Sequence, residues 1–417
     1  MKLHIREQFL HSLCDAAFAA ILCVGTCAFA GETILYQFPG GNHGSDPKDG
    51  LVFDAAGDAY GTTYYGGRYG WGTVYQLQHQ KTSWREIVLY NFRGGQDGYN
   101  PQGNLLIDDK GNLYGTTLTG GTGNAGSGGG TLYELQPSSG GWIHLVLYNF
   151  CSLGGCPDGL SPSGLIFDKS GNLYGTTVYG GNSCGEQGCG VVYKLSHVNG
   201  QWKETVLHSF DNNGDGYYPN PGLTFGKSGK LYGTTCCGGG YGAGIVFVLK
   251  PGKHGWNEVP LYAFDGSKNN TDANGYLTLD STGAIFGTLA GSYNSGCTYQ
   301  CGGVFKLIRS HGQWVETSVF TFNGLDGADP NPNLIKDRAG NYYGSASQGG
   351  VGDFGVVFKL IPGKVWTINL LYQFTGQGAD LAPNPGMIVG PKGTLYGTTP
   401  GPYEQGQYDG EVFEVTP

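Results

Sequence analysis

Charge is scarce in this 417-residue sequence: 13% of residues are Asp, Glu, Lys or Arg, and the balance is acidic at −9. Such a deficit of cations argues against nucleic acid and anionic membrane surfaces as partners, because both attract basic proteins. Long apolar runs are short too. The stretch from Ala16 to Ala30 is broken by Gly25 and Thr26 and falls below the roughly 20 residues of a spanning helix. No Cys-x-x-Cys pair or histidine-rich spacing occurs, so zinc has no ligand set and no metal is expected from these patterns. What the chain has instead is glycine, 79 residues, and tyrosine, 28. Aromatic and β-branched residues interleaved with glycine are what short strands and tight turns require, so the chain is neither disordered nor helical.

Residues 1–30 read as a signal peptide, with Lys2 and Arg6 ahead of the apolar run and the small-residue pattern Ala28-Phe29-Ala30 at its end. Neither Cys23 nor Cys27 has the leucine and small residue that precede a lipoprotein cysteine, so lipid anchoring is disfavoured. The expected location is therefore secreted or periplasmic, with no membrane insertion after cleavage. Charges in this segment cancel, and the remainder keeps −9.

Beyond residue 30 the chain repeats. Seven segments align on Tyr-Gly-Thr-Thr or a near variant, starting at Tyr60, Tyr114, Tyr174, Tyr232, Phe286, Tyr343 and Tyr396. A period of roughly 55 residues marks one supersecondary unit repeated seven times, with windows near 32–86, 87–144, 145–204, 205–258, 259–316, 317–369 and 370–417. Each unit holds four short apolar runs, clearest in the third copy: GLIFD from Gly164, NLYGTT from Asn172, GVVYKL from Gly190 and ETVLHSF from Glu204. Asp168-Lys169-Ser170-Gly171-Asn172 joins the first two as a tight turn in which Gly takes a positive φ. A polar stretch ending in Trp202-Lys203-Glu204 joins the last two.

The fold expected over residues 31–417 is all-β: a single seven-bladed β-propeller of four-stranded antiparallel blades. Its closure is legible at the ends. Glu32 to Phe38 matches a fourth strand with no partners before it, and Gly410 to Val415 matches a third strand with no fourth after it. Pairing them completes the last blade and removes two exposed sheet edges. Trp84, Trp142, Trp202, Trp256, Trp314 and Trp366 keep the same register before the fourth strand, and read as covers for the sheet ends.

The recurring Gly-Asn-Leu-Tyr-Gly-Thr-Thr, Gly-Gly, then Gly-x-Val-Tyr or Gly-x-Val-Phe with Lys-Leu, best seen from Asn112 to Gly121 and from Asn172 to Leu195, resembles the GloVer tandem repeat of exported bacterial proteins. The resemblance spans nearly all of the chain after residue 30. It implies no catalytic residues. Proteins of this type look as if they end in a surface-sorting tail, whereas here Thr416-Pro417 follows the last strand, so release is expected over attachment.

Candidate function lies in loops. With the first strand innermost, the loops between blades and those joining strands two and three share one face, and they are long and variable. Eight cysteines sit there as Cys151 with Cys156, Cys184 with Cys189, Cys236 with Cys237, and Cys297 with Cys301. They read as disulfides that stiffen loops, the partners of the adjacent Cys236 and Cys237 staying open. Lys48, Gln102, Ser163, Asn220, Asn274, Asn331 and Asn384 each occupy a Pro-rich turn before the innermost strand, and would ring the channel mouth. Amides both donate and accept, which suits sugar hydroxyls or peptide, although Asn and Ser beside Pro also form turns. Asp97, Asp158, Asp215 and Asp326, each before Gly and four residues before Pro, share that ambiguity. Asp211-x-Asn213-x-Asp215-Gly216 copies half a calcium loop, but Gly222 stands where the bidentate carboxylate belongs.

Enzyme chemistry has little positive support: the Ser-x-Asp-x-Gly-x-Thr-Trp box of sialidase-like propellers is missing, and His208 replaces a strand Tyr. The expectation is a monomeric, secreted, non-catalytic binding or scaffold propeller, whose disulfide-stiffened loop face takes an extracellular glycan or protein. Two alternatives stay open: a carbohydrate-active hydrolase or lyase with its site at the channel mouth, and a purely structural surface protein.

Overall fold

The computed structural model describes residues 31–266, 272–291, 301–376, 381–390, 393–400, 403–404 and 407–417. The expected signal peptide and Cys297 lie outside these. Seven antiparallel sheets form seven blades of a propeller. Blade 3 shows the pattern: Leu160–Phe167 innermost, then Leu173–Tyr179, Val191–Val198 and Gln201–Ser209 outermost. No helix among the described residues is long and apolar enough to cross a membrane, which says nothing of strands.

The last blade is built from both ends of the chain. Its strands run Ile388–Val389, Leu395–Thr399, Glu411–Val415 and, outermost, Glu32–Gln37. Glu32 pairs Val415 and Gln37 pairs Glu411, and the Phe38 N–H donates to the Gly410 carbonyl at 2.9 Å. Phe38 is buried and meets Tyr75 of blade 1 edge-on at 4.9 Å, so the closing strand also seals the seam to the first blade.

Repeated residues have repeated jobs. The Tyr-Gly-Thr-Thr glycine faces the aromatic ring of the third strand: a Cβ on Gly61, Gly115 or Gly175 would stand 2.4 Å from the hydroxyl of Tyr75, Tyr133 or Tyr193. A ring laid across a strand glycine covers the backbone that glycine leaves bare. The second Thr ties the strand end, as Thr177 Oγ1 donates to the Tyr179 carbonyl and accepts the Val191 N–H. In the tight turn Asp168 Oδ1 accepts the N–H groups of Ser170 and Asn172, and Gly171 has φ +78. Seven apolar clusters result, each between two adjacent blades, so the chain grows by seams rather than by one large core.

Two local readings change. The innermost strand is longer than the GLIFD run, because it continues back through the Pro turn as an edge strand with a register shift, between Ser163 and Ile166 in blade 3. Proline is tolerated on an edge that owes no ladder bond. Trp202 lies inside the fourth strand rather than in a turn: Asn199 and Gly200 both take positive φ, and this two-residue turn lets pairing run to Val198 and Gln201.

Candidate functional site

Four amides of the candidate channel ring join neighbouring blades. Asn220 Nδ2 donates to the Ala273 carbonyl, Asn274 Nδ2 to that of Pro330 at 3.2 Å, Asn331 Nδ2 to that of Pro383 at 2.8 Å, and Asn384 Nδ2 to that of Pro47. Each acceptor belongs to the next blade, so four amides staple blades 4 to 1 in sequence. Lys48 instead pairs with the buried Asp46 at 3.0 Å. Gln102 and Ser163 contribute carbonyls, which accept from Thr116 Oγ1 and Thr176 Oγ1 at 2.8 and 3.3 Å.

Deeper in the channel the copies deviate. The residue before the core Leu or Met is Gly in blades 1, 3, 4 and 7, and the inner strands of blades 1 and 7 approach so closely that a Cβ on Gly50 would lie 1.9 Å from the Gly386 oxygen. In blade 5 the same position is Tyr276, whose hydroxyl crosses the ring to donate to Asn104 Oδ1 of blade 2. Asn104 Nδ2 in turn donates to the Leu165 carbonyl at 3.2 Å. Asp49 accepts the Gly103 N–H at 2.6 Å, and burial lifts its carboxyl to about 6 against the pull of that bond and of Lys48. Of these side chains, Tyr276 and Asn104 thus bond to each other across the ring.

The loop acids close turns between blades. Asp97 accepts Tyr90 Oη–H at 2.6 Å and the Arg93 N–H at 2.8 Å; Asp158 accepts Tyr148 Oη–H at 2.9 Å and the Ser152 N–H at 2.8 Å. Asp326 accepts the Asn323 N–H at 2.8 Å. Asp215 takes the Asp211 N–H and pairs with His208 Nε2 at 2.9 Å, so His208 does the work of the Tyr it replaces. Asp211 Oδ1 accepts the Asn213 N–H, which folds the half calcium loop into a turn. Among the described residues no three His, Cys, Asp or Glu side chains gather at metal-binding spacing.

Behind Asp97, Asp158 and Asp215 stands a residue of the outer strand, and the pair varies from seam to seam. His43 Nδ1 meets Glu86 at 2.6 Å, and Asp97 meets His144 Nδ1 at 3.3 Å, the same contact with histidine and acid exchanged between loop and strand. The next two seams oppose acid to acid. Burial, then Asp158, pushes Glu204 up to about 8; burial, then Asp215, does the same to Glu258.

The loop face carries the disulfides. Cys151–Cys156, Cys184–Cys189 and Cys236–Cys237 are bonded, and Cys301 is bonded as well. Among the described residues an exposed aromatic group lies elsewhere on that face, at the end of Ala59–Tyr65 and in the loop leading to Thr73–His79 of blade 1. Tyr65, Tyr69 and Trp71 are 44, 45 and 43% exposed. Trp71 leans on Tyr99 of blade 2 with ring centroids 5.0 Å apart, and its Nε1 rests over Gly94, where a Cβ would stand 3.0 Å away. Arg68 and Arg93 approach the Tyr69 ring to 5.7 and 6.0 Å. This group is not among the sequence candidates. Its signal was present, since Trp71 is the Trp that breaks the register of the other six.

The opposite face holds seam clefts. One of about 440 Å³ between blades 7 and 1 is lined by Phe53, His79, Trp84, Tyr396 and Glu414. Elsewhere the outer-strand Trp closes the seam, as Trp142 does against Tyr60 at 6.5 Å and Trp256 against Tyr174 at 6.3 Å.

A family model described as the Gloeobacter/Verrucomicrobia repeat matches residues 25–185 and 182–413. No functionally curated protein matches the sequence. Among solved structures, the extracellular domain of a protein assigned as a one-component system of B. thetaiotaomicron is similar at 12% identity over 91% of this chain and 40% of that one, with a TM-score of 0.54. A protein assigned as a 6-phosphogluconolactonase of Bacteroides uniformis is similar at 13% identity, over 78% of this chain and 83% of its own, with a TM-score of 0.50. At such identity the likeness concerns the fold alone.

Proposed function

The chain belongs to the Gloeobacter/Verrucomicrobia repeat family, and from that premise we propose that it is an extracytoplasmic, non-catalytic binding propeller whose loop face takes a glycan or a protein. The observation that carries this reading is the exposed group of Tyr65, Tyr69 and Trp71 beside two arginines. Exposed Trp, Tyr and Arg in one place are the residue types that dominate binding surfaces. Export is supported by the leader-like residues 1–30 and by disulfides, which persist in oxidising compartments. Four channel amides are engaged with neighbouring blades, and Tyr276 with Asn104, which supports the rim loops over the channel mouth as the contact surface.

The test is a glycan array, with pull-down of extracellular protein in parallel, probed with wild type and with the Tyr69→Ala/Trp71→Ala double variant. The reading expects ligands on the wild-type protein that the variant loses while keeping its thermal unfolding. Equal capture by both proteins would remove the loop face of blade 1 from the account.

A further inference from the structure

We infer that the ligand of the blade 1 platform is a carboxylate-bearing polysaccharide, one built from uronic acid units; this rests on the loop-face reading above. Five arginines follow residue 30 in the whole sequence, and two of them, Arg68 and Arg93, flank the single ring of Tyr69. Neither guanidinium has a carboxylate within ion-pair distance among the described residues, in a chain with 32 acids against 23 cations. An acidic protein that leaves two neighbouring arginines unpaired at its surface presents a site for an anion. Guanidinium is the cation whose fork matches a carboxylate through two parallel N–H donors.

The platform is also built in advance. The Arg68 N–H donates to Asn91 Oδ1 at 2.7 Å, and the Arg93 N–H to Asp97 Oδ2 at 2.8 Å, so both backbones are pinned while both heads are exposed. The Trp71 carbonyl accepts the Asn100 N–H at 3.1 Å, and its indole is held between Gly94 and Tyr99. Groups fixed before binding lose little entropy on contact. A pyranose ring offers apolar C–H faces with polar groups at its edge. The exposed parts of Tyr69 and Trp71 offer apolar contact to such faces, and the arginines beside Tyr69 reach the edge carboxylates. The net charge of −9 does not oppose this, because distant carboxylates are screened over about 8 Å at physiological salt.

Affinity electrophoresis of the exported protein through polygalacturonate, its fully methyl-esterified form and dextran sulfate, all in 0.15 M NaCl, tests the inference. Wild type should be retarded by polygalacturonate at least tenfold more strongly than by the ester. Arg68→Gln/Arg93→Gln should abolish that difference, and Tyr69→Ala/Trp71→Ala should abolish retardation by both, each variant keeping the wild-type melting temperature. Equal retardation by acid and ester overturns the uronate assignment and leaves glycan binding standing. Retardation by dextran sulfate that survives loss of Trp71 overturns it as charge alone. Binding of no glycan, with a protein partner captured through Trp71, overturns it in favour of a protein ligand; loss of all binding overturns the loop-face reading as well.

Discussion

The loop face divides into two arcs that solve one problem differently. In blades 3 to 5 the loops are tied by cystines, at Cys151–Cys156, Cys184–Cys189, Cys236–Cys237 and Cys301, and expose large apolar side chains singly, as at Leu153 and Tyr241. In blades 1 and 2 no cystine occurs, and backbone bonds such as Gly67 N–H to the Gly41 carbonyl at 2.7 Å hold loops that display clustered rings and arginines. The seams beneath follow the same division: acid faces histidine at Glu86 and Asp97, but acid faces acid at Asp158 with Glu204 and at Asp215 with Glu258. Stiffening and display have been assigned to different copies of one unit. Where a repeat recurs it describes the fold, and where it departs from itself it describes a local task.

The largest effect should fall on both arcs together, because they share the ring. Deleting residues 31–38 removes the outer strand of the last blade and the buried Phe38, a loss on the order of 5 kcal/mol or more. Calorimetry should then show no single cooperative transition near the wild-type temperature; an unshifted transition would mean that closure does not hold the arcs together.

Separating the arcs needs smaller cuts. Cys151→Ser/Cys156→Ser opens a short loop and should cost about 2 kcal/mol. Hydrogen exchange should quicken around residues 151–159 and stay unchanged at 65–72; faster exchange at both would dissolve the distinction. Acidity separates them as well. Glu204 holds its proton up to about pH 8 in the folded state and releases it near the ordinary Glu value when unfolded. The folded state therefore binds the extra proton between those values, and stability falls as pH rises through that window. Glu204→Gln should flatten the slope and gain on the order of 1 kcal/mol at pH 8, discounted for solvent reaching the group. Melting temperatures of both proteins from pH 5 to pH 9 would check this, and parallel curves would exclude Glu204 as the source. Trp71→Ala should shift stability least, by under about 1 kcal/mol, since the ring is 43% exposed.

Ring closure was readable in the sequence because a strand at one end and a gap at the other are complementary in length and pattern. The cystines Cys151–Cys156 and Cys184–Cys189 were readable from proximity alone, whereas the bond between adjacent Cys236 and Cys237 was not. What Asn220, Asn331 and Asn384 do was not, because their acceptors are carbonyls one blade away, at residues no spacing rule connects. Tyr276 escaped for the same reason: its partner Asn104 is on the far side of the ring. Trp71 was missed differently. Reading by recurrence assigns meaning to the six Trp residues that keep register, and the exposed one is the exception to that register.

Footprinting with a photoreactive carbene, on the protein with and without saturating polygalacturonate, bears most directly on the division between the arcs. Labelling of Tyr65, Tyr69 and Trp71 should fall several-fold on binding, while Leu153 and Tyr241 keep their labelling. Protection centred on Leu153 and Tyr241, with Trp71 unchanged, would place the binding surface on the cystine arc and contradict the account.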